Sequence, residues 1–229
     1  MSFLNKTDYF SFTNSNIIIL SSDEGKSCST AQARDEKGDV IDETIYGVTE
    51  TPTCEYAIKG TVTLSGVSLG EIVTNVGSSY TITSISINTA AGSPPSISVS
   101  GEKVPAGSNT DCKYDVPSTS IIPCHHAQVL FGCCASDSFG TGCHLISASY
   151  TIECTLTKAT KDGDILTFDV TDGKITANLT IQAVGSTAPT VTEGINWKMT
   201  SPLTESNPDS DYPTYTCALT KNLAHATSE

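Results

Sequence analysis

The 229-residue sequence predicts an all-β protein: an antiparallel β-sandwich or barrel with long loops and at most one short helix. Three observations carry this. Apolar residues recur at every second position along several stretches, which puts them on one face of a strand. Ser and Thr are abundant and long runs of Ala, Leu, Glu and Lys are missing; Thr favours strands, whereas Ser, Gly and Pro favour turns. The alternating stretches number about eight or nine, and turn signals separate them at sandwich or barrel spacing.

Along the chain, an N-terminal arm of about residues 1–25 leads into a strand at Asn16–Leu20, where four apolar residues in a row suggest cover on both faces or docking on a neighbour. Ser27–Lys37 (SCSTAQARDEK) is the one place for a helix, with Ser29 or Thr30 to cap it and Gly38 to stop it. Asp42–Pro52 is acidic and reads as an exposed loop. Cys54–Leu64 alternates as one strand, and the phase break at Gly66 marks a bulge or bend. Tyr80–Asn88 and Ser96–Ser100 pair as a hairpin around TAAGSPP. Gly101–Pro117 is turn-rich. Ile121–Ala135, the most apolar run, reads as a central strand. Leu145–Ala183 reads as a three-strand meander, turning at Lys161-Asp162-Gly163-Asp164 and again at Asp172-Gly173, because Asp-Gly between alternating runs is a strong hairpin signal. Residues 185–211 form a long irregular connection holding Trp197, with Tyr212 and Tyr215 beside it. Tyr215, Cys217 and Leu219 mark a last strand before a frayed tail at His225–Glu229. No repeat or linker divides the chain, so one domain over 1–229 is expected.

Formal net charge is −13, and Arg34 is the only arginine. Neutralising nucleic-acid phosphates takes a basic footprint, so adhesive DNA or RNA binding is not expected, whereas a surface that repels DNA is compatible with the charge. No segment reaches the roughly 18 apolar residues of a membrane span. Ile17–Leu20 is too short for a signal-peptide core, so synthesis and folding in the cytoplasm are expected. Nine cysteines are an odd number, which leaves at least one unpaired within a monomer. Without export they are expected to be reduced and mostly buried.

The densest chemistry lies in CHHAQVLFGCCASDSFGTGCH, Cys124–His144. Thiolates and imidazoles are the ligands zinc prefers, and Cys124, Cys133 or Cys134, Cys143 and a histidine would supply a tetrahedral set. Against this, the candidates come as adjacent pairs, and neighbours on a strand point to opposite faces. The reading taken is buried thiols with histidines on the polar face. No nucleophile motif, phosphate loop or metalloprotease motif occurs. Asp162, Asp164, Asp169 and Asp172 do not follow a calcium-loop pattern. Glu153 and Asp169 are weighed as a glycosidase pair against a solvated sheet face, which is preferred. No catalytic, cofactor-binding or metal residue is assigned, no cofactor is expected, and the chain is read as a non-enzyme.

An acidic lead-in (ETIYGVTETPTCEYAIKG) entering a long strand, a bent pair (YTITSISINTAAGSPPSISVSGE) and then the meander give residues 40–184 a layout that resembles virion structural proteins of tailed bacteriophages, most nearly the tail tube (major tail) proteins. That resemblance implies a β-sandwich subunit that associates with itself into hexameric rings, joins its sheets into a barrel, and stacks through loops. It implies other virion proteins as partners, and an acidic lumen through which DNA passes without specific binding. Assembly in the host cytoplasm and a place in the virion follow from it. The alternative is a secreted or surface adhesin or carbohydrate-binding sandwich, which predicts disulfides.

Overall fold

Strands dominate because alternation dominates. The computed structural model describes residues 6–75, 77–104, 113–124, 126–161, 164–185, 187–206 and 212–225, and these contain no helix. In chain order the strands are β1 (Ile17–Arg34), β2 (Val40–Ile58), β3 (Val62–Leu64), β4 (Ser68–Leu69), β5 (Ile72–Asn75), β6 (Ser78–Ala90) and β7 (Ser93–Lys103). They continue as β8 (Tyr114–Asp115), β9 (Thr119–Ile121), β10 (Cys143–Lys161), β11 (Asp164–Ala183), β12 (Lys198–Ser206) and β13 (Thr214–Asn222).

Nine strands form one main sheet in the order β1-β2-β7-β6-β10-β11-β13-β12, with β5 pairing with the start of β6. Every pairing is antiparallel, including those of two small sheets, β3–β9 and β4–β8. The inward residues of the main sheet (Tyr56, Ile85, Ile87, Ile97, Val99, Tyr150, Ile152, Leu179, Ile181 and Leu219) join Val62, Leu64, Leu69, Tyr114 and Ile121 of the small sheets in one apolar core. The all-β antiparallel class is therefore as expected, and so are the β6–β7 hairpin and the last strand.

Several elements differ from the sequence reading. Ser27–Lys37 is not helical: Ser27–Arg34 is the outer half of β1, turning at Asp35–Gly38. It has no apolar stripe to pack, so pairing with β2 satisfies its backbone instead. Asp42–Pro52 is exposed through most of its length, yet it is strand, the other half of the same hairpin. Cys54–Leu64 breaks at Lys59–Thr61, because Asn16 inserts there. The Asn16 carbonyl accepts from Lys59 N at 2.7 Å and its amide donates to Thr61 O at 2.9 Å. Gly60 leaves room: a Cβ there would stand 2.4 Å from Asn16 Oδ1.

The meander is a single long hairpin, β10–β11, and Asp172-Gly173 is a bulge inside β11. Glu153 pairs with Lys174 and Thr155 with Thr171, so two residues face Cys154 alone. Asp172 takes a positive φ of 56°. Gly173 lies under the Tyr114 ring, where a Cβ would come within 2.3 Å of Cγ. The same dipeptide that closes hairpins here re-aims a strand around an aromatic ring. The other turn expected, at Asp162 and Gly163, lies outside the described residues.

Ile121–Ala135 is not a central strand. After β9 it is irregular, with consecutive positive φ values of 57° and 61° at Phe131 and Gly132. Residues 185–211 are not wholly irregular either, since β12 forms the sheet edge there. His225 is held rather than frayed, its Nε2 lying 3.0 Å from the Tyr114 hydroxyl.

The expected N-terminal arm is a strap. Phe10 is buried, Tyr9 packs edge-on to Tyr80, and Phe12 packs against Tyr56. The Asp8 carboxylate accepts hydrogen bonds from Phe10 N, Phe12 N, Thr13 N and Oγ1, and the Tyr56 hydroxyl at 2.6 Å. Burial alone would raise this carboxyl. The bonds from Thr13, Tyr56 and Phe12 outweigh it and hold the group below its ordinary 3.8. A depressed folded-state value means stability that is present above about pH 3.8 and lost as pH falls through the lower folded value. Asp8→Asn is expected to cost about 1.5–3 kcal/mol at neutral pH, the range for hydrogen bonds to a charged group. The gap to wild type should narrow in thermal melts taken below the ordinary carboxylate range; a gap constant with pH would overturn the assignment.

Candidate functional site

Two hairpins run past the body of the sheet. The first is the outer part of β1–β2. Its base is fixed where Glu50 accepts from Lys103 at 2.7 Å and pairs with Lys26 at 3.3 Å. Beyond Glu50 the strands continue to Val40, a reach of roughly 30 Å at ~3.3 Å per residue. The second is the tip of β10–β11, anchored by a Lys158–Glu102 ion pair. Lys103 and Glu102 close the same end of β7, so both hairpins leave the sheet in one direction.

The first hairpin carries apolar residues without cover in this chain. Ile41 is 66% exposed, Ile45 62% and Val48 56%, with Val40 and Tyr46 also open. The register shifts between Ser27 and Ser29, and Gly47 has a φ of 61°, so Gly47 and Val48 oppose Cys28. Such a bulge keeps Ile41, Ile45 and Val48 on one face. Asp35, Glu36, Asp39, Asp42 and Glu43 lie around the tip, all exposed. In the sequence this segment looked like loop and helix because its apolar residues have no core to alternate against.

The two edges of the main sheet differ. β12 is blunted by register shifts on both sides of Ser201 and by Pro202. β1 keeps regular pairing from Ser21 through Ser27, contains no proline, and has β2 as its one sheet neighbour among the described residues.

The outward face of the sheet is lined by short hydroxyl and amide groups. One row runs Ser98, Ser86, Thr151, Thr176, Thr220 across five strands, and the next runs Ser96, Asn88, Ser149, Asn178. Charge enters where Glu153 and Lys174 pair at 3.0 Å, and at the ends of the first row, with Glu55 opposite Ser98 and Lys198 opposite Thr220. Asp169, weighed with Glu153 in the sequence, lies beyond the bulge and accepts from its neighbour Val170 N.

Of the aromatic residues in and beside the 185–211 connection, Trp197 is 3% exposed and donates its Nε1–H to Phe131 O. Tyr215 is also buried, and Tyr212 is exposed.

The Cys124–His144 stretch is brought together in part. His126, Asp137, Cys143 and His144 line one cavity of about 580 Å³, with Ile122 and Gln128. Among the described residues no three His, Cys, Asp or Glu side chains converge as a metal site. His125 lies outside the described residues. Cys133 and Cys134 sit elsewhere, in the core, with their sulfurs 3.8 Å apart. The eight described cysteines are free thiols, and of these Cys28 is exposed. Burial pushes the Cys154 thiol up to about 12, helped by Glu153. Burial likewise pushes Cys217 up to about 11, helped by Cys133. Such thiols are poor nucleophiles at neutral pH.

A second cavity, of about 410 Å³, lies beside the strap and is lined by Phe10, Phe12, Ile17, Leu64 and Val73, with Glu71. No helix among the described residues is long and apolar enough to cross a membrane. No protein-family model matches the chain, and no curated protein is significantly similar to it.

Proposed function

We propose that this chain is a non-enzymatic structural subunit that assembles with copies of itself. The observation that carries the reading is the β1–β2 hairpin. It holds Ile41, Ile45 and Val48 open to water on one face of a hairpin that reaches roughly 30 Å beyond Glu50. A two-stranded hairpin is marginal by itself in water, and an exposed, regular edge invites pairing. Both features are relieved when a second copy covers them. At the finer level the reading is a virion component, with a tail tube subunit as its most specific form. The layout resemblance and the net charge of −13 support it, since like charge keeps DNA from adhering.

The test is assembly of the purified chain. Concentrated protein is expected to sediment as species larger than the monomer and to show rings or tubes by negative-stain microscopy. A monomer that persists at high concentration would overturn self-assembly. Closed dimers would overturn the tube form and leave the broader reading standing.

A further inference from the structure

The two adjacent cysteines of the core do not diverge as neighbours on a strand do. Cys133 follows directly on the tight turn at Phe131-Gly132, which closes with Cys133 N donating to Leu130 O at 3.1 Å. The backbone from Cys133 to Ala135 is then fixed against residues 192–194. Gly194 N donates to Cys133 O, Ala135 N donates to Thr192 O, and Cys134 bridges to Glu193. On this mount the two sulfurs share a hydrogen bond at 3.8 Å. The Cys133 sulfur lies a further 3.8 Å from the Tyr150 hydroxyl. That hydroxyl donates to Gln128 O and accepts from Leu130 N, so the ring holds the turn in place. Cys133 is fully buried and Cys134 is 7% exposed.

We propose that Cys133 and Cys134 act as one closely spaced dithiol, a modification site that a hydroperoxide closes to a vicinal disulfide and a thiol reductant reopens. The Cys133 sulfur attacks one peroxide oxygen. The O–O bond breaks, and the departing oxygen takes the Cys133 proton and leaves as water or alcohol. The Cys133 sulfenic acid so formed is attacked by the Cys134 sulfur; the S–S bond forms, the S–O bond breaks, and hydroxide leaves with the Cys134 proton as water. The sulfur pair loses two electrons and the peroxide gains them. The hydrogen bond between the two sulfurs favours loss of the first proton from the pair, and lowers the Cys133 thiol.

The test treats the native protein with hydrogen peroxide and, separately, with phenylarsine oxide, which bridges paired thiols. Non-reducing peptide mapping is expected to find the 133–134 peptide lighter by two hydrogens and restored by dithiothreitol. Phenylarsine oxide is expected to bind one per chain. Cys133→Ser and Cys134→Ser should each lose both outcomes, while Cys217→Ser should keep them. Sulfinic or sulfonic acid on either cysteine without a crosslink would overturn the proposal, as would a Cys133–Cys217 bridge, or oxidation confined to Cys28. Should a serine variant fail to fold, the peroxide mapping of the wild type decides alone: a 133–134 peptide that keeps both hydrogens sinks the pair.

Discussion

Ile41→Asp combined with Ile45→Asp is expected to abolish assembly and leave the subunit folded. Both side chains stand on the uncovered face of the β1–β2 hairpin, 66% and 62% exposed. Neither touches the core, so each change should shift folding stability by no more than about 0.5 kcal/mol, the range for surface positions away from special features. Covered by a second copy, each isoleucine would contribute about 1.5–3 kcal/mol. Losing both removes roughly 3–6 kcal/mol per joint, or a factor of about 10²–10⁴ in association. A carboxylate forced into the joint weakens it further, and it joins an already acidic tip of Asp39, Asp42 and Glu43. Sedimentation velocity and a thermal melt on the same sample separate the two effects. An unchanged melt with monomers is the expected pair of results. Assembly equal to wild type would remove the hairpin from the joint, and a melt lowered by many degrees would mean the face is part of the fold.

Gly194→Ala is expected to have the largest effect on folding. A Cβ at Gly194 would stand 1.8 Å from the Gly132 carbonyl oxygen and 3.2 Å from the Cys133 carbonyl carbon. The obstacle is backbone, in a turn whose φ values are already positive, so no side chain can swing aside. Moving it would pull on the Gly194 N–Cys133 O bond and on Trp197, whose indole N–H donates to Phe131 O at 3.2 Å. A cost of about 3 kcal/mol or more is expected, the upper range for overpacking. At ~2–4 °C per kcal/mol for a chain of this size, the melting temperature should fall by roughly 6–12 °C. Gly38→Ala at the hairpin tip is the control; nothing lies within 4 Å of its Cβ, although its φ of +87° adds local strain. A fall at Gly194 no larger than that at Gly38 would show that the 130–135 and 192–197 segments are not in contact.

Period-two alternation made the class and the central strands legible. Ile85, Ile87, Ile97 and Val99, or Tyr150 and Ile152, report a half-buried sheet in their own spacing, because burial on one side is what selects them. Where nothing is buried, the signal vanishes. Ser27–Arg34 and Val40–Thr49 are strand by pairing alone, and strands with no core face to alternate against read as loop or a capped helix. Long-range contacts hid the rest. Asp172-Gly173 reads locally as a turn; only the Tyr114 ring, distant in sequence, makes it a bulge. Trp197 reads as a loop aromatic until Phe131 O is found waiting for its N–H. The Cys133-Cys134 pair was judged on strand geometry, and the two positive φ values before it remove that premise.

That both hairpins leave the sheet at one end gives the subunit a head and a tail. A hairpin that grips another surface of the next copy, without being gripped in return, makes a contact with no two-fold axis. Such contacts either close a ring or run on as an open filament. A filament of this kind has unlike tips: at one the grips are free, at the other only the surfaces they would seize.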